Sequence, residues 1–356
     1  MLRDITIENY RLFEKFHMEG LTQINLLVGE NNSGKSSLLE AIYLLVNRNE
    51  PTALFQVFDV RGEITPEIYK PDYRIRAGYQ IAHIFRGHML REDHKIKVYS
   101  QTQPSISLLI SYLTDEEQQP KQLKIFDEDG DNLPTKLVFS YDSVDHSFPV
   151  SEDGLIEQRL ARRSFSGPKQ NNRLVTSDYL DQREVARLWD QITLTPKEDR
   201  VLEALRILEP DIERISFTSQ QSSKSGILLK IRGNDYPVPL GSMGDGMRRI
   251  LVLAASLVNC ENGVLLVDEI DTGLHHKALT QMWRLVVETA KRLNVQVFAT
   301  THSGDCLYSF HKALSELEES SLGSVFRLER KDDQIKYVSY TGDKLAVAIE
   351  HDIEVR

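Results

Sequence analysis

Glycine, lysine and serine stand at a phosphate-binding spacing in Gly29-Glu30-Asn31-Asn32-Ser33-Gly34-Lys35-Ser36. Small residues let successive backbone N–H groups wrap phosphate oxygens, and the start of a following helix adds the positive end of its dipole. At the spacing Gly-x4-Gly-Lys-Ser, Lys35 reaches the outer phosphates of a nucleoside triphosphate such as ATP, and Ser36 offers its hydroxyl to Mg2+. The flanks agree. An apolar run from Ile24 to Val28, broken only by Asn25, predicts a buried strand, and Leu38, Ile42 and Leu45 predict a helix from Lys35 to about Val46. The residues expected around the phosphates are Gly29, Asn31, Asn32, Ser33, Gly34, Lys35, Ser36 and Ser37.

Three further clusters lie late in the chain. Gly241-Ser242-Met243-Gly244-Asp245-Gly246 precedes a helix with Met247, Ile250, Leu251, Ala254, Leu257 and Val258 on one face. The apolar strand Val264 to Val267 ends in Asp268-Glu269, and a strand from Val295 to Thr300 ends in Thr301-His302-Ser303. Between them a helix turns Leu279, Met282, Trp283, Val286, Ala290 and Leu293 inward. Strands alternating with helices imply a parallel sheet, whose ligands sit at the carboxyl ends of its strands. The phosphate loop, Asp268-Glu269 and His302 all fall at such ends, so they should meet.

Their chemistry would be transfer of a γ-phosphoryl group to water, which is limited by positioning and by charge on the phosphoryl oxygens. Lys35 would hold that charge. Ser36 and Asp268 would hold Mg2+, directly or through water, and Glu269 would orient or deprotonate the attacking water. His302 would sense the γ-phosphate through a charge-assisted bond. An Asp-Glu pair after an apolar strand would by itself suit a helix-capping turn, and a single histidine an ordinary polar site. A phosphate loop in the same chain favours the catalytic reading.

The elements that must position these groups divide the chain. Residues 1–50 and 235–356 read as one discontinuous nucleotide-binding core, and 51–234 as an inserted β-rich and helical region. Alternating runs at Arg74–Ile84, Lys95–Ser100, Ser105–Tyr112, Gln122–Phe126 and Lys136–Tyr141 predict antiparallel strands. Asp127-Glu128-Asp129-Gly130-Asp131-Asn132 departs from a Ca2+ loop, because Asn132 and Val138 replace the required glycine and final carboxylate. It reads as a hairpin turn. Helices follow at Gln182–Ile192 and from Pro196, the latter opened by a capping box of Thr195 and Glu198. The fold class expected is α/β, with a parallel core sheet, an antiparallel β-subdomain and a helical insertion.

Composition narrows the setting. The 356 residues carry a net charge of −10, which excludes a surface coated in basic charge and leaves room only for local nucleic-acid contact. The candidate strip is Arg159, Arg162, Arg163, Lys169 and Arg173, beside Ser166-Gly167-Pro168; a solvated face accounts for it as well. No apolar stretch has spanning length, and Met1 leads straight into a strand without a signal peptide, so the cytoplasm is the expected compartment. Cys260 and Cys306 form neither a metal cluster nor a disulfide framework.

The order of phosphate loop, Ser-Met-Gly-Asp-Gly, Val-Asp-Glu, Asp271-Thr272-Gly273-Leu274-His275 and Thr-Thr-His resembles the ABC-type ATPase superfamily. Within it the chain is similar to the non-transporter SMC, RecF and OLD-like heads, through Asn9-Tyr10-Arg11 and the phosphate loop, and to bacterial AAA-type ATP-binding proteins of anti-phage loci. The latter likeness includes the closing stretch from Phe326-Arg327-Leu328-Glu329-Arg330 to Glu354-Val355-Arg356. The resemblance implies two heads sandwiching two ATPs, a homodimer open to higher assembly. Ser242 and Gly244 of one subunit would touch the γ-phosphate held by the other, Asp271 would lie at the interface, and Arg11 near the phosphates. Gly241, Met243 and Asp245 depart from the usual Leu-Ser-Gly-Gly-Gln signature, which puts the contact between subunits in more doubt than the site within one. Gln80 and Phe85-Arg86-Gly87-His88 are candidates for the coupling region.

OLD proteins carry a TOPRIM nuclease, for which the stretch after His302 lacks both room and an Asp-x-Asp pair. The function implied is therefore an ATP-driven dimeric switch acting on a separate effector, a TOPRIM-like nuclease among the candidates, in anti-phage defence. A DNA-repair or DNA-end-binding ATPase is the alternative, although the insertion lacks the sustained heptads of SMC arms. A transporter subunit fits less well, since the insertion is long and the signature departs. A GTPase would want an Asn-Lys-x-Asp motif, which is absent.

Overall fold

In the strand ahead of the phosphate loop, Ile24, Leu26 and Val28 pack to one side and Leu27 to the other, all buried. A strand apolar on both faces belongs in the middle of a sheet covered on both sides. Asn25 interrupts the apolar run at no cost in lost hydrogen bonds. Its Nδ2 donates to the Thr22 and Val297 carbonyls, at 2.9 and 3.2 Å, and its Oδ1 accepts from the Thr22 N–H at 2.8 Å.

The computed structural model describes residues 1–66, 68–70, 73–75, 77–90, 94–112, 135–151, 153–161, 171–176, 182–217, 226–341 and 345. Outside them lie the strand expected at Gln122–Phe126, the turn at Asp127–Asn132, the basic residues Arg162, Arg163 and Lys169, and the closing Glu354-Val355-Arg356. The strands of the two large sheets are β1 (Asp4–Tyr10), β2 (Phe13–Glu19), β3 (Ile24–Val28), β4 (Lys95–Ser100), β5 (Gln103–Tyr112), β6 (Thr135–Tyr141), β7 (Val144–Val150), β8 (Arg173–Val175), β9 (Val264–Val267), β10 (Gln296–Thr300), β11 (Gly323–Lys331) and β12 (Gln334–Thr341). The longer helices are α1 (Lys35–Val46), α2 (Thr52–Arg61), α3 (Gln182–Asp190), α4 (Pro196–Leu205), α5 (Asp245–Asn259), α6 (His276–Leu293) and α7 (Gly304–Glu316).

The core sheet runs β8-β9-β10-β3-β11-β12 and is parallel except at β12, which returns antiparallel to β11. The second sheet, β7-β6-β5-β4-β1-β2, is antiparallel throughout. Between them lies α1, which is buried on every side from Ser37 to Val46, as a helix sandwiched by two sheets must be. Leu27, Leu266, Phe298 and Phe326 meet α1 and the inner face of the antiparallel sheet in one core. On the opposite face Leu26, Val267, Val297 and Ala299 pack into a second core with α5, α6 and α7.

Sheet membership crosses the boundaries read at residues 51 and 234. The hairpin β1–β2 pairs with β4 and so belongs to the antiparallel sheet, while β8, from within the insertion, forms the edge of the core sheet beside β9. Three residues are too few to show a period, which is why β8 escapes a reading by periodicity. Over Arg74–Ile84 one strand was expected. The chain instead makes short strands at Tyr73–Ile75 and Gly78–Gln80 and a tight helical turn at Ile81–Ile84. Ile81 and Ile84 are both buried, a spacing of three that suits a turn and not a pleat. At α4, Thr195 Oγ1 accepts from Lys197 N at 3.3 Å as a cap, but Glu198 reaches back one residue further, to the Leu194 N–H at 2.8 Å. Among the described residues no helix is long and apolar enough to cross a membrane.

Candidate active site

The phosphate loop leaves β3 through Gly29, whose φ of 139° favours glycine and whose missing Cβ would lie 2.3 Å from the Leu328 carbonyl oxygen on β11. The loop enters α1 through Gly34 at φ 95°, with no side-chain cap, so the first amides of α1 open into the loop. Ser33, Lys35 and Ser37 are buried, whereas Glu30, Asn31 and Asn32 are exposed at the rim. Lys35 Nζ folds back along the loop and donates to the Gly29 and Glu30 carbonyls at 2.9 and 2.7 Å. Burial pulls its pKa down to about 8, against the opposing pull of Asp268 and Glu269.

The ends of β9 and β10 bring the carboxylates to this lysine. Ser36 Oγ donates to Asp268 Oδ2 at 2.9 Å, and Thr300 Oγ1 donates to Asp268 Oδ1 at 2.5 Å. Thr300 Oγ1 also accepts from the Glu269 N–H at 2.8 Å, and the Thr300 carbonyl accepts from the Ile270 N–H at 3.0 Å. One buried threonine thus orders both carboxylate residues. Glu269 occupies the left-handed region at φ 48°, rare for a residue with a side chain, and its carboxylate accepts from Thr272 Oγ1 at 3.1 Å.

A hydroxyl and a carboxylate in contact at a phosphate loop suit Mg2+, which keeps several waters and takes few protein ligands beside phosphate oxygens. Among the described residues no group of three or more His, Cys, Asp or Glu side chains forms a closed metal cage. Ser36 and Asp268 are the residues that could hold the ion.

His302 follows β10. Thr300 pairs opposite Leu27 and the Thr301 N–H donates to the Leu27 carbonyl at 3.1 Å, which puts His302 in register with Gly29, exposed at the mouth of the loop. Thr301 Oγ1 donates to Asp271 Oδ1 at 2.7 Å, tying the histidine strand to the Asp271–His275 segment. Ser242 and Gly244 lie apart in an open segment. Gly241, Ser242, Gly244 and Asp245 are all exposed, and Gly244 has φ 85°. The segment meets the Asp271–His275 turn at Gly246, where a Cβ would stand 2.9 Å from the Gly273 carbonyl oxygen.

Arg11 is engaged within its own chain. Its guanidinium pairs with Glu63, at 2.6 and 3.0 Å, and with Glu40 at 2.7 Å, and it donates to the His83 carbonyl at 3.4 Å. Burial works against its charge, but Tyr10, Glu40 and Glu63 outweigh burial and raise its pKa. Nothing near Asn9-Tyr10-Arg11 announces Glu63, which comes from beyond the phosphate-loop helix.

Two contributors escape sequence reasoning. Arg249, buried on α5, donates to the carbonyls of Thr176, Asp268 and Glu269, each at 2.7 Å. Its one sequence signal is a charge beside Met247, Ile250 and Leu251 on an otherwise apolar face. Thr300 stands beside His302 in the sequence, but nothing there links it to Asp268 and Glu269. Cys306 lies beneath this region, but burial pushes its thiol up to about 12, so it stays protonated and inert near neutral pH.

Residues 24–305 match a family described as "AAA domain, putative AbiEii toxin, Type IV TA system". The chain belongs to that family. Over its whole length it is also similar to an ATP/GTP phosphatase of Helicobacter pylori, at 22% identity, with 99% of each chain covered. A short segment, 44 residues and 12% of each chain, is 46% identical to the DNA replication and repair protein RecF of an Exiguobacterium species. Among solved structures, an SMC head bound to the C-winged helix domain of ScpA superposes with a TM-score of 0.52 at 13% identity, covering 97% of this chain and 99% of that one. A second SMC head, bound to the C-terminal domain of ScpA derived from Pyrococcus furiosus, gives 0.51 at 12% identity and 99% coverage of both. At such identities the likeness concerns the fold, an α/β head of SMC type.

Proposed function

We propose that this protein is a Mg2+-dependent ATPase whose heads close in pairs around ATP and whose closing and opening control a separate effector in anti-phage defence. The observation that carries the reading is the hydrogen-bonded chain Ser36, Asp268 and Thr300, which joins the helix start after the phosphate loop to two neighbouring strand ends, with Lys35 buried in that loop. In this reading Gly29, Asn31 to Gly34 and Ser37 surround the phosphates, and Lys35 exchanges its bonds to loop carbonyls for phosphate oxygens. Mg2+ supplies charge neutralisation between the phosphates when it is bound. Glu269 takes a proton from water, and His302 reads the γ-phosphate from the mouth of the loop.

The name of the Helicobacter pylori relative supports nucleotide hydrolysis, and the family description supports a link to toxin systems. The exposed Ser242–Asp245 segment, with its free helix start, supports a second head as the partner across ATP, and Asp271 beside it supports an interface there. In that arrangement ATP binding adds contacts between heads and hydrolysis removes them. Residues 1–50 and 235–356 would supply the hydrolysing core, and 51–234 the surface that reports its state. The short likeness to RecF favours the alternative, a DNA-repair ATPase, which predicts hydrolysis stimulated by DNA.

The test is the solution mass of Glu269→Gln with and without Mg-ATP, by light scattering after gel filtration. Binding without hydrolysis should trap the pair, so mass should double with ATP and stay single when Ser242→Arg is added. Tight ATP binding with no change in mass would sink the paired-head reading.

A further inference from the structure

The turn that follows Gly78–Gln80 holds two imidazoles that the ATPase chemistry does not use. His83 Nδ1 and His88 Nδ1 stand 3.3 Å apart with their rings at 63°. As a direct hydrogen bond this is long. As the edge of a coordination polyhedron it fits. Two metal–nitrogen bonds of about 2.05 Å spanning 3.3 Å enclose an angle of about 107°, close to tetrahedral.

The surroundings prepare one ring for that task. Gln80 Nε2 donates to Thr65 Oγ1 at 2.8 Å, which turns Gln80 Oε1 toward His83 Nε2 at 3.0 Å. An amide oxygen only accepts, so the His83 proton sits on Nε2 and the Nδ1 lone pair faces His88. A second partner that fixes the tautomer of a ligating histidine is the usual support of a metal site. His88 reaches across from a left-handed backbone, φ 54°, directly after Gly87 at φ 78°. Non-glycine residues held this way cluster at ligand clamps. Asp153 lines the same cleft as His83, about 280 Å3 in volume, and adds negative charge there. Of the neighbouring cations, Arg11, which touches the His83 carbonyl, is paired with Glu40 and Glu63, and Arg86 with Glu14 and Asp333.

The geometry points to a two-histidine site for a divalent transition ion of the zinc class at His83 and His88. Imidazole pairs select such ions over Mg2+, so the site is chemically separate from the phosphate loop. No third His, Cys, Asp or Glu joins the pair among the described residues, and water would fill the open positions. The ion would clamp a turn that also receives the Arg11 N–H on the Ile84 carbonyl, at 2.9 Å. Loading the site would therefore stiffen the corner between β1 and β2.

Zinc titration of the chelator-stripped full chain, in excess Mg2+ and against a coloured competing chelator, tests this. One equivalent should bind and should be lost in His83→Gln and in His88→Gln. Gln80→Leu should weaken it about tenfold, and His276→Gln, at the separate His275–His276 pair, should leave it unchanged. Substitution by Co2+ should give a visible band of four-coordinate intensity. Unchanged thermal unfolding of the metal-free variants would show that they fold. Equal zinc binding by wild type and by the His83→Gln, His88→Gln double variant would overturn the proposal and leave the pair a plain hydrogen bond. The readout is stoichiometry, so it stands apart from any result on ATP hydrolysis.

Discussion

Gly29–Ser36 and Gly241–Gly246 are built alike and finished differently. Each is rich in small residues, and each delivers a helix whose N-cap glycine has positive φ, 95° at Gly34 and 85° at Gly244, with no side-chain cap. By contrast α6 and α7, which follow the carboxylate and histidine strands, are capped by His275 and Ser303. An uncapped start leaves first-turn amides for an anion. The first segment is closed over, with Lys35 buried and bonded to its own loop. The second lies open to solvent. The contrast teaches that the first segment pairs an uncapped helix start with a buried cation, while the open one offers donors without an enclosure of its own. It reads as half of a site.

The largest break in that contrast should come from Lys35→Ala. Losing a buried charged donor should weaken ATP binding about a hundredfold or more, read by calorimetry. Folding should survive, because burial disfavours the Lys35 charge in the native state, as its pKa near 8 reports. A matching drop in melting temperature would mean that the loop is structural.

Ser242→Arg should do the reverse. ATP affinity of a single chain should stay within about twofold, while turnover falls about tenfold as a charge without a partner blocks pairing. Steady-state hydrolysis at several protein concentrations separates the two. Turnover that is independent of concentration and of this substitution would make the open segment a bystander.

Arg249→Met sharpens the comparison, since Arg249 starts from the open segment's helix and ends on the carbonyls behind the closed one. Losing the donor to the part-buried Thr176 and Asp268 carbonyls should cost about 1–3 kcal/mol in denaturant unfolding, while the Glu269 carbonyl keeps the Thr272 N–H. Single-turnover hydrolysis should fall more than ATP affinity. Equal losses in both would reduce Arg249 to a packing role.

The smallest effect is on pH. In the proposed reading phosphate needs the Lys35 cation, and the free site holds it only below about 8. Affinity should therefore fall as pH rises through about 8, with a proton taken up on binding above it. For folding the sign is opposite to that of a stabilising ion pair. The unfolded chain keeps this proton up to 10.5, so the Lys35 contribution to stability rises between about 8 and 10.5. Calorimetry in buffers of unequal ionisation heat reads the uptake, and none at pH 9 would show a charged lysine in the free site.

What could be read from the chain alone was what is local or periodic. The phosphate loop is contiguous, β9 and β10 are short apolar runs with chemistry at their ends, and parallel order follows from alternation with helices. What could not be read depends on partners distant in sequence. Arg11 meets Glu63 through an ion pair that no spacing rule connects, and Thr300 acts on Asp268 only because β9 and β10 are neighbours. Arg249 breaks the rule that charges face solvent, and such breaks gain meaning only when their acceptors are seen. β8 joins the core sheet by pairing alone.

Glu269 has a consequence for anyone who evolves this protein in the laboratory. Its backbone, at φ 48°, sits where glycine or asparagine would rest more easily. A screen for heat resistance alone should return replacements at this position, melting higher and hydrolysing little. Selection on turnover should restore the glutamate and, with it, the lower melting point.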